Sequence, residues 1–278
     1  FVAAAIMAFI LYHGGGYALA GLLILALVLL LRSYIAHRKS SKIMREEDQL
    51  EKAESSSTQG VIHESASNIA NVIKRGNRIY TSAINGLAVQ DLKLLKKNRR
   101  QIDKLSTEID DLKDNIFYFI RNLDEPSVAA SNFYINILGH LQDMTQSLDY
   151  ISKASHKHIN NNHKKLKFSQ VKELKDLDTK LENLFATTQT AFESRSFEQI
   201  GAVLESKSDI FDLVKNKIQK QVERTRSEES SPKNTTLYFS LLLETKDLLT
   251  AMMNLLDEYY QSHDGSIKPA RPNSDQEE

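Results

Sequence analysis

Apolar residues recur at alternating steps of three and four along most of this chain, which is the spacing of one helical face. Between residue 61 and about 261, almost no glycine or proline interrupts that rhythm. The pattern predicts six long helices. The first runs near 61–87, with Ile62, Ile69, Val72, Ile73, Ile79, Ala83 and Leu87 on one stripe. The second runs near 89–123 through Leu92, Leu95, Ile102, Leu105, Ile109, Leu112, Ile116, Phe119 and Leu123, the seam of an antiparallel bundle. The third runs near 128–162 and carries Ile137, Leu141, Met144, Leu148 and Ile151. The remaining three fall near 169–193, 196–226 and 236–261. "LDEPS" at 123–127 stops the second helix, and "SEESSPKN" separates the fifth from the sixth.

Before residue 61 the pattern changes. Residues 1–12, "FVAAAIMAFILY", are almost wholly apolar but would rise only about 18 Å as a helix, short of a bilayer core of about 30 Å. "HGGG" at 13–16 predicts a break, and 1–12 reads as the end of a membrane helix. "YALAGLLILALVLLL" at 17–31, extended to Ala36, reaches about 20 residues and predicts a full membrane span. Arg32, Arg38, Lys39, Lys42 and Arg45 follow it, which assigns the rest of the chain to the cytoplasmic side and suits anionic lipid headgroups. The predicted layout is a membrane hairpin at 1–36 with its first helix truncated, and a basic juxtamembrane linker at 37–60 ending in a Ser/Thr/Gly tract. Three-helix units follow at 61–166 and 167–261, and "HDGSIKPARPNSDQEE" falls in a disordered tail at 262–278.

The two units say nearly the same thing. "NFYINILGHLQDMTQ" at 132–146 returns as "TLYFSLLLETKDLLT" at 236–250, matching Tyr134 to Tyr238, Leu138 to Leu242 and Asp143 to Asp247 at an offset of 104. "IYTSAINGLAVQDL" at 79–92 aligns with "TTQTAFESRSFEQI" at 187–200 at an offset of 108. Helix order, break positions and apolar pattern survive, although few identities do. Two thin three-helix units sharing one core are the expected architecture.

Composition narrows the function classes. The 278 residues carry 36 basic and 36 acidic side chains, a balance that argues against a general nucleic-acid binder. With no cysteine there is no disulfide, thiolate metal site or thiol nucleophile. No phosphate loop, metalloprotease helix, kinase motif or nucleophile elbow occurs, so no enzyme is expected. The candidate chemistry is carboxylate. His140 and Asp143 lie three apart, as do Glu244 and Asp247, and that spacing puts each pair on one helical face where it could share a cation. Asp103 borders the seam of the second helix. Interhelical hydrogen bonds and salt bridges are the competing use of these groups. "HKHINNNHKK" at 156–165 places His156 and His163 on one face, but no carboxylate joins them, and a capped helix end is the better reading.

Tandem three-helix units with an aspartate on each third helix resemble the PhoU-like phosphate-signalling family. "LGHLQDMTQSLDYISKASHKHINNNHKKL" at 138–166 and "TLYFSLLLETKDLLTAMMNLL" at 236–256 resemble, more narrowly, the cytoplasmic extension of PiT-type inorganic phosphate permeases of Bacteroidetes-like bacteria. The resemblance implies an all-α chain whose membrane helices precede a PhoU-like regulatory bundle. It also implies phosphate uptake coupled to sodium or protons through a transport core preceding residue 1, a bacterial inner-membrane location and a homo-oligomer. Metal clusters on acidic helices accompany that family, and a divalent metal on Asp103, His140, Asp143, Glu244 and Asp247 is the candidate cofactor here. The chain departs from the acidic E/D-x-x-x-D pattern, because Ser147 and Ala251 stand four residues beyond Asp143 and Asp247. A sodium/phosphate cotransporter of the type II-related class and a membrane-anchored helical signalling protein are the alternative readings.

Overall fold

The structure is a computed structural model that describes residues 2–115, 127–227 and 231–269. It divides into two compact units, Phe1–Ala53 and Glu54–Glu278. Every regular element among the described residues is helical. We number them α1 (Val2–Val89), α2 (Leu92–Asp114), α3 (Val128–Asn160), α4 (Phe168–Ser194), α5 (Ile200–Glu205), α6 (Lys207–Arg226) and α7 (Pro232–Ser262), with a 3₁₀ turn at Phe197–Gln199.

In the first unit, α1 runs through residues 13–16, where the sequence predicts a break. Glycine weakens a helix by about 1 kcal/mol per residue without forbidding it, and the flanking apolar helix formers carry the run across. Among the described residues no helix is long and apolar enough to cross a membrane. Most side chains of the predicted span at 17–36, and those of Arg38, Lys39, Lys42 and Arg45, lie outside the described residues. Leu27, Val28, Leu29, Leu30 and Leu31 are described, and all five are exposed.

The second unit begins earlier than the apolar pattern predicts. Its first residues are the Ser/Thr/Gly tract read above as a linker, and that tract is helical because it is packed. Ser57 and Gln59 are buried. Thr58 Oγ1 donates to the Glu54 carbonyl at 3.1 Å. The Gln59 amide clamps the other end of the chain: Nε2 donates to the Ser262 carbonyl at 2.7 Å, and Oε1 accepts from the Asp264 N–H at 3.1 Å. Ser56 Oγ donates to the Lys268 carbonyl at 2.9 Å, so residues 263–268, expected in a tail, lie along α1. Residues 270–278 of that expected tail lie outside the described residues.

Helix starts follow capping chemistry. Asp91 accepts from the Leu94 N–H at 2.9 Å, Ser127 from Ala130 at 3.1 Å, and Ser231 from Asn234 at 3.2 Å with Pro232 as the first helical residue. The rest of the two predicted breaks, residues 123–126 and 228–230, lies outside the described residues, as does the expected end of the second helix. The fifth predicted helix differs. It is split into the 3₁₀ turn, α5 and α6, with Ser206 at the junction bonding its own hydroxyl to the Val203 carbonyl at 2.8 Å.

At the centre α3 and α7 pack antiparallel. Asn136 Nδ2 donates to Glu258 at 3.1 Å, and the Phe133 ring meets Tyr259 edge-on at 5.0 Å. One hydrophobic core joins α1–α3 to α4–α7, from Ile62 and Ile73 through Met144 and Leu148 to Leu181, Leu248 and Met252. A single buried cluster thus spans the bundle from α1 to α7.

Candidate functional site

The offset of 104 relates α3 to α7, and the helices run antiparallel, so a quasi-two-fold axis passes between Met144 and Leu248. Both side chains are fully buried. Beside that axis lies a cleft of about 430 Å³, lined from α3 by Asp143, Gln146, Ser147 and Tyr150 and from α7 by Glu244, Asp247, Thr250, Ala251 and Asn254. The lining is itself paired by the repeat, Asp143 with Asp247, Gln146 with Thr250, Ser147 with Ala251, and Tyr150 with Asn254. Duplication therefore brought the recurring aspartates, a hundred residues apart in sequence, to one place.

The electrostatics are those of an acidic cleft. Burial is the main cause that raises the Glu244 carboxyl above its ordinary range. The neighbouring Asp247 adds to it, and a hydrogen bond with Ser147 works against it. Asp143 and Asp247 are exposed. Of the five residues proposed above as metal ligands, Asp143, Glu244 and Asp247 share the cleft. His140 is absent from the lining, and Asp103 stands exposed on α2. Among the described residues no group of three or more His, Asp or Glu side chains converges as a metal-holding set. The two aspartates are exposed, and the positions four residues on are Ser147 and Ala251, so neither helix adds a second carboxylate one turn beyond its aspartate. What the cleft offers is three carboxylates, three hydroxyls and two side-chain amides for a cationic or hydrogen-bond-donating partner. A second groove, of about 490 Å³, lies between α4 and α5–α6, and its wall is mainly Leu184, Val203, Ile210 and Leu213.

The tyrosines of the repeat have structural roles. Tyr238 is fully buried and donates to Glu173 Oε2 at 2.5 Å. Arg224 pairs with Glu173 Oε1, lies 5.9 Å from the centre of the Tyr238 ring, and donates to Gln221 Oε1 at 3.1 Å. Gln170 Nε2 also donates to Gln221 Oε1, at 3.1 Å. This network ties α4, α6 and α7 together. Burial alone would raise the Glu173 carboxyl, but the bonds from Arg224 and Tyr238 outweigh it and hold the group below its ordinary range. Tyr134, the counterpart of Tyr238, is raised by burial and by Glu64. Glu173 and Arg224 carried no signal in the sequence, where each reads as one more charge on a solvated helix.

The histidine-rich run ends α3 as its composition suggested. Asn161 caps the helix, Asn162 adopts a φ of 53°, and the buried His158 bonds the Lys164 carbonyl through Nε2 at 2.9 Å. The His163 ring packs 5.2 Å from that of His158, so His163 is paired with His158 and not with His156.

No protein-family model matches the chain, and no curated protein does. Among solved structures it is similar to the crystal structure of the phosphate transport system regulatory protein PhoU from Streptococcus pneumoniae, with a TM-score of 0.60 and 12% sequence identity, over 74% of this chain and 96% of that one. At that identity the likeness is one of fold: the helical bundle is PhoU-like.

Proposed function

We propose that this chain regulates inorganic phosphate transport, with the bundle from Glu54 onward as the regulatory part. The observation that carries the reading is the tandem three-helix architecture, whose two third helices pack about a quasi-two-fold axis and place Asp143, Glu244 and Asp247 in one cleft. The fold likeness to a phosphate-transport regulator supports the same assignment.

In the fuller form of the proposal the chain is the C-terminal part of an inorganic phosphate permease coupled to sodium or protons. Residues 1–36 then lie in the bacterial inner membrane and the bundle lies in the cytoplasm. The apolar composition of 1–36, the exposed side chains Leu27 to Leu31 and the basic residues that follow support it. The bundle biases the transport core toward one of its conformations, so its occupancy sets uptake. Cells carrying the full gene product with residues 54–278 deleted test this through radiolabelled phosphate uptake measured across phosphate supply. The expected result is uptake that no longer responds to supply. Uptake with an unaltered rate and an unaltered response would refute the proposal.

A further inference from the structure

The run at 156–165 has no part in the cleft, yet its first histidine lies in the most basic part of the bundle. Asn98 Nδ2 on α2 donates to Ser152 Oγ on α3 at 3.3 Å, which sets the first turns of α2 beside the last turns of α3. Here α2 carries Lys93, Lys96, Arg99 and Arg100, with no acidic residue between Asp91 and Asp103. His156 of α3 lies close enough to feel Arg99 and Lys96, and after burial those two cations hold its imidazole below the ordinary range. Lys93, Lys96 and Arg100 are exposed, while Arg99 and His156 are half-buried. Among the described residues, none of the four cations is in an ion pair.

The fold does not require this charge. In the register of the repeat, the second unit keeps a cation only at Lys207, in place of Arg99, and has Gly201 in place of Lys93, Leu204 in place of Lys96, Ser208 in place of Arg100 and Tyr260 in place of His156. There the position is a packing contact: a Cβ on Gly201 would lie 3.1 Å from the Tyr260 ring. One unit fills the place with an aromatic ring, and the other surrounds it with cations that repel one another along a helix face.

We propose that Lys93, Lys96, Arg99, Arg100 and His156 bind a soluble oligophosphate, a chain of two or more linked phosphates. Several cations without counterions suit an anion with several charges better than a lone carboxylate. The stretch from residue 93 to 100 extends about 10 Å along the helix, so successive turns meet successive phosphates. The half-buried Arg99 carries a guanidinium that can grip phosphate oxygens with two parallel bonds, and the His156 ring adds an N–H donor. A narrow chain end reaches the half-buried Arg99 and His156 as well as the exposed cations, whereas a flat lipid surface meets the exposed ones first. This inference stands apart from the phosphate-transport reading, which rests on other residues.

The test is calorimetric titration of the full chain with sodium tripolyphosphate at about 0.15 M salt. Saturable one-to-one binding is expected. The Lys96→Gln/Arg99→Gln pair should weaken it by at least about tenfold. Lys93→Gln/Arg100→Gln should weaken it in the same direction, and Lys215→Gln/Lys220→Gln on α6 should leave it unchanged. Nuclear magnetic resonance should show the His156 pKa rising on binding. Absence of saturable binding, or equal affinity in the wild type and both α2 variants, overturns the proposal. So does equal affinity for citrate, tighter binding of a single-stranded oligonucleotide, or binding to anionic phospholipid vesicles without binding to tripolyphosphate.

Discussion

Replacing Tyr238 by phenylalanine removes one hydroxyl from the bundle interior and leaves the ring in place. That hydroxyl is fully buried and donates to the Glu173 carboxylate at 2.5 Å. Glu173 keeps Arg224 in the variant, so no charge is stranded, and no cavity larger than one oxygen forms. The loss is therefore that of a hydrogen bond to a charged acceptor, about 1.5–3 kcal/mol. With a urea m-value of about 2–3 kcal/mol/M, a loss of about 2 kcal/mol lowers the unfolding midpoint by about 0.7–1 M. Urea titration followed by circular dichroism measures it, and crossing the variant with Glu173→Gln isolates the coupling. The gap also has a pH signature. Glu173 is held below its ordinary pKa, so its contribution is complete above the unfolded pKa and is lost as pH falls through the folded value. The difference between wild type and Tyr238→Phe should therefore hold at neutral pH and narrow below about pH 4. A change under about 0.5 kcal/mol at pH 7, or a gap that widens on acidification, would refute the network's assigned role.

Other sites give further expectations. Leu248→Ala, at the quasi-two-fold axis, should cost about 2–5 kcal/mol in the same urea assay, because the side chain is fully buried between α3 and α7. Gly86→Ala should lower the melting temperature despite better helix propensity, because the new Cβ would lie 2.8 Å from the buried Leu95 side chain. Asp247→Asn should raise the melting temperature at pH 7 by relieving the ionised Glu244. Glu244 is raised above its ordinary pKa, so the gain should fade on acidification through its folded value, where the group becomes neutral.

The helical plan was legible from spacing because long apolar stripes have one explanation. The stripes through Ile102, Leu105 and Ile109, and through Leu141, Met144 and Leu148, are buried as their period required. The start of the bundle was not legible. Ser57 and Gln59 look like linker residues until their partners at Ser262, Asp264 and Lys268 are known, some two hundred positions away. The glycine run at 14–16 misled for a different reason, since a helix-weakening residue is not an obligatory break. The repeat singled out Asp143 and Asp247, and both line the cleft between α3 and α7. Asp103 and His140 lie outside its lining, because spacing along one helix does not say which face its neighbour covers. Glu173 and Arg224 were hidden for the same reason: a buried ion pair and a solvated one have the same local sequence.

The central claim is that the bundle acts on phosphate transport. The most direct measurement is the initial rate of phosphate uptake into proteoliposomes reconstituted with the full-length gene product, intact and lacking residues 54–278, at matched protein density. The account predicts that removing the bundle changes the rate and abolishes its dependence on the phosphate concentration inside the vesicle. Identical rates and identical dependence in the two preparations would contradict it.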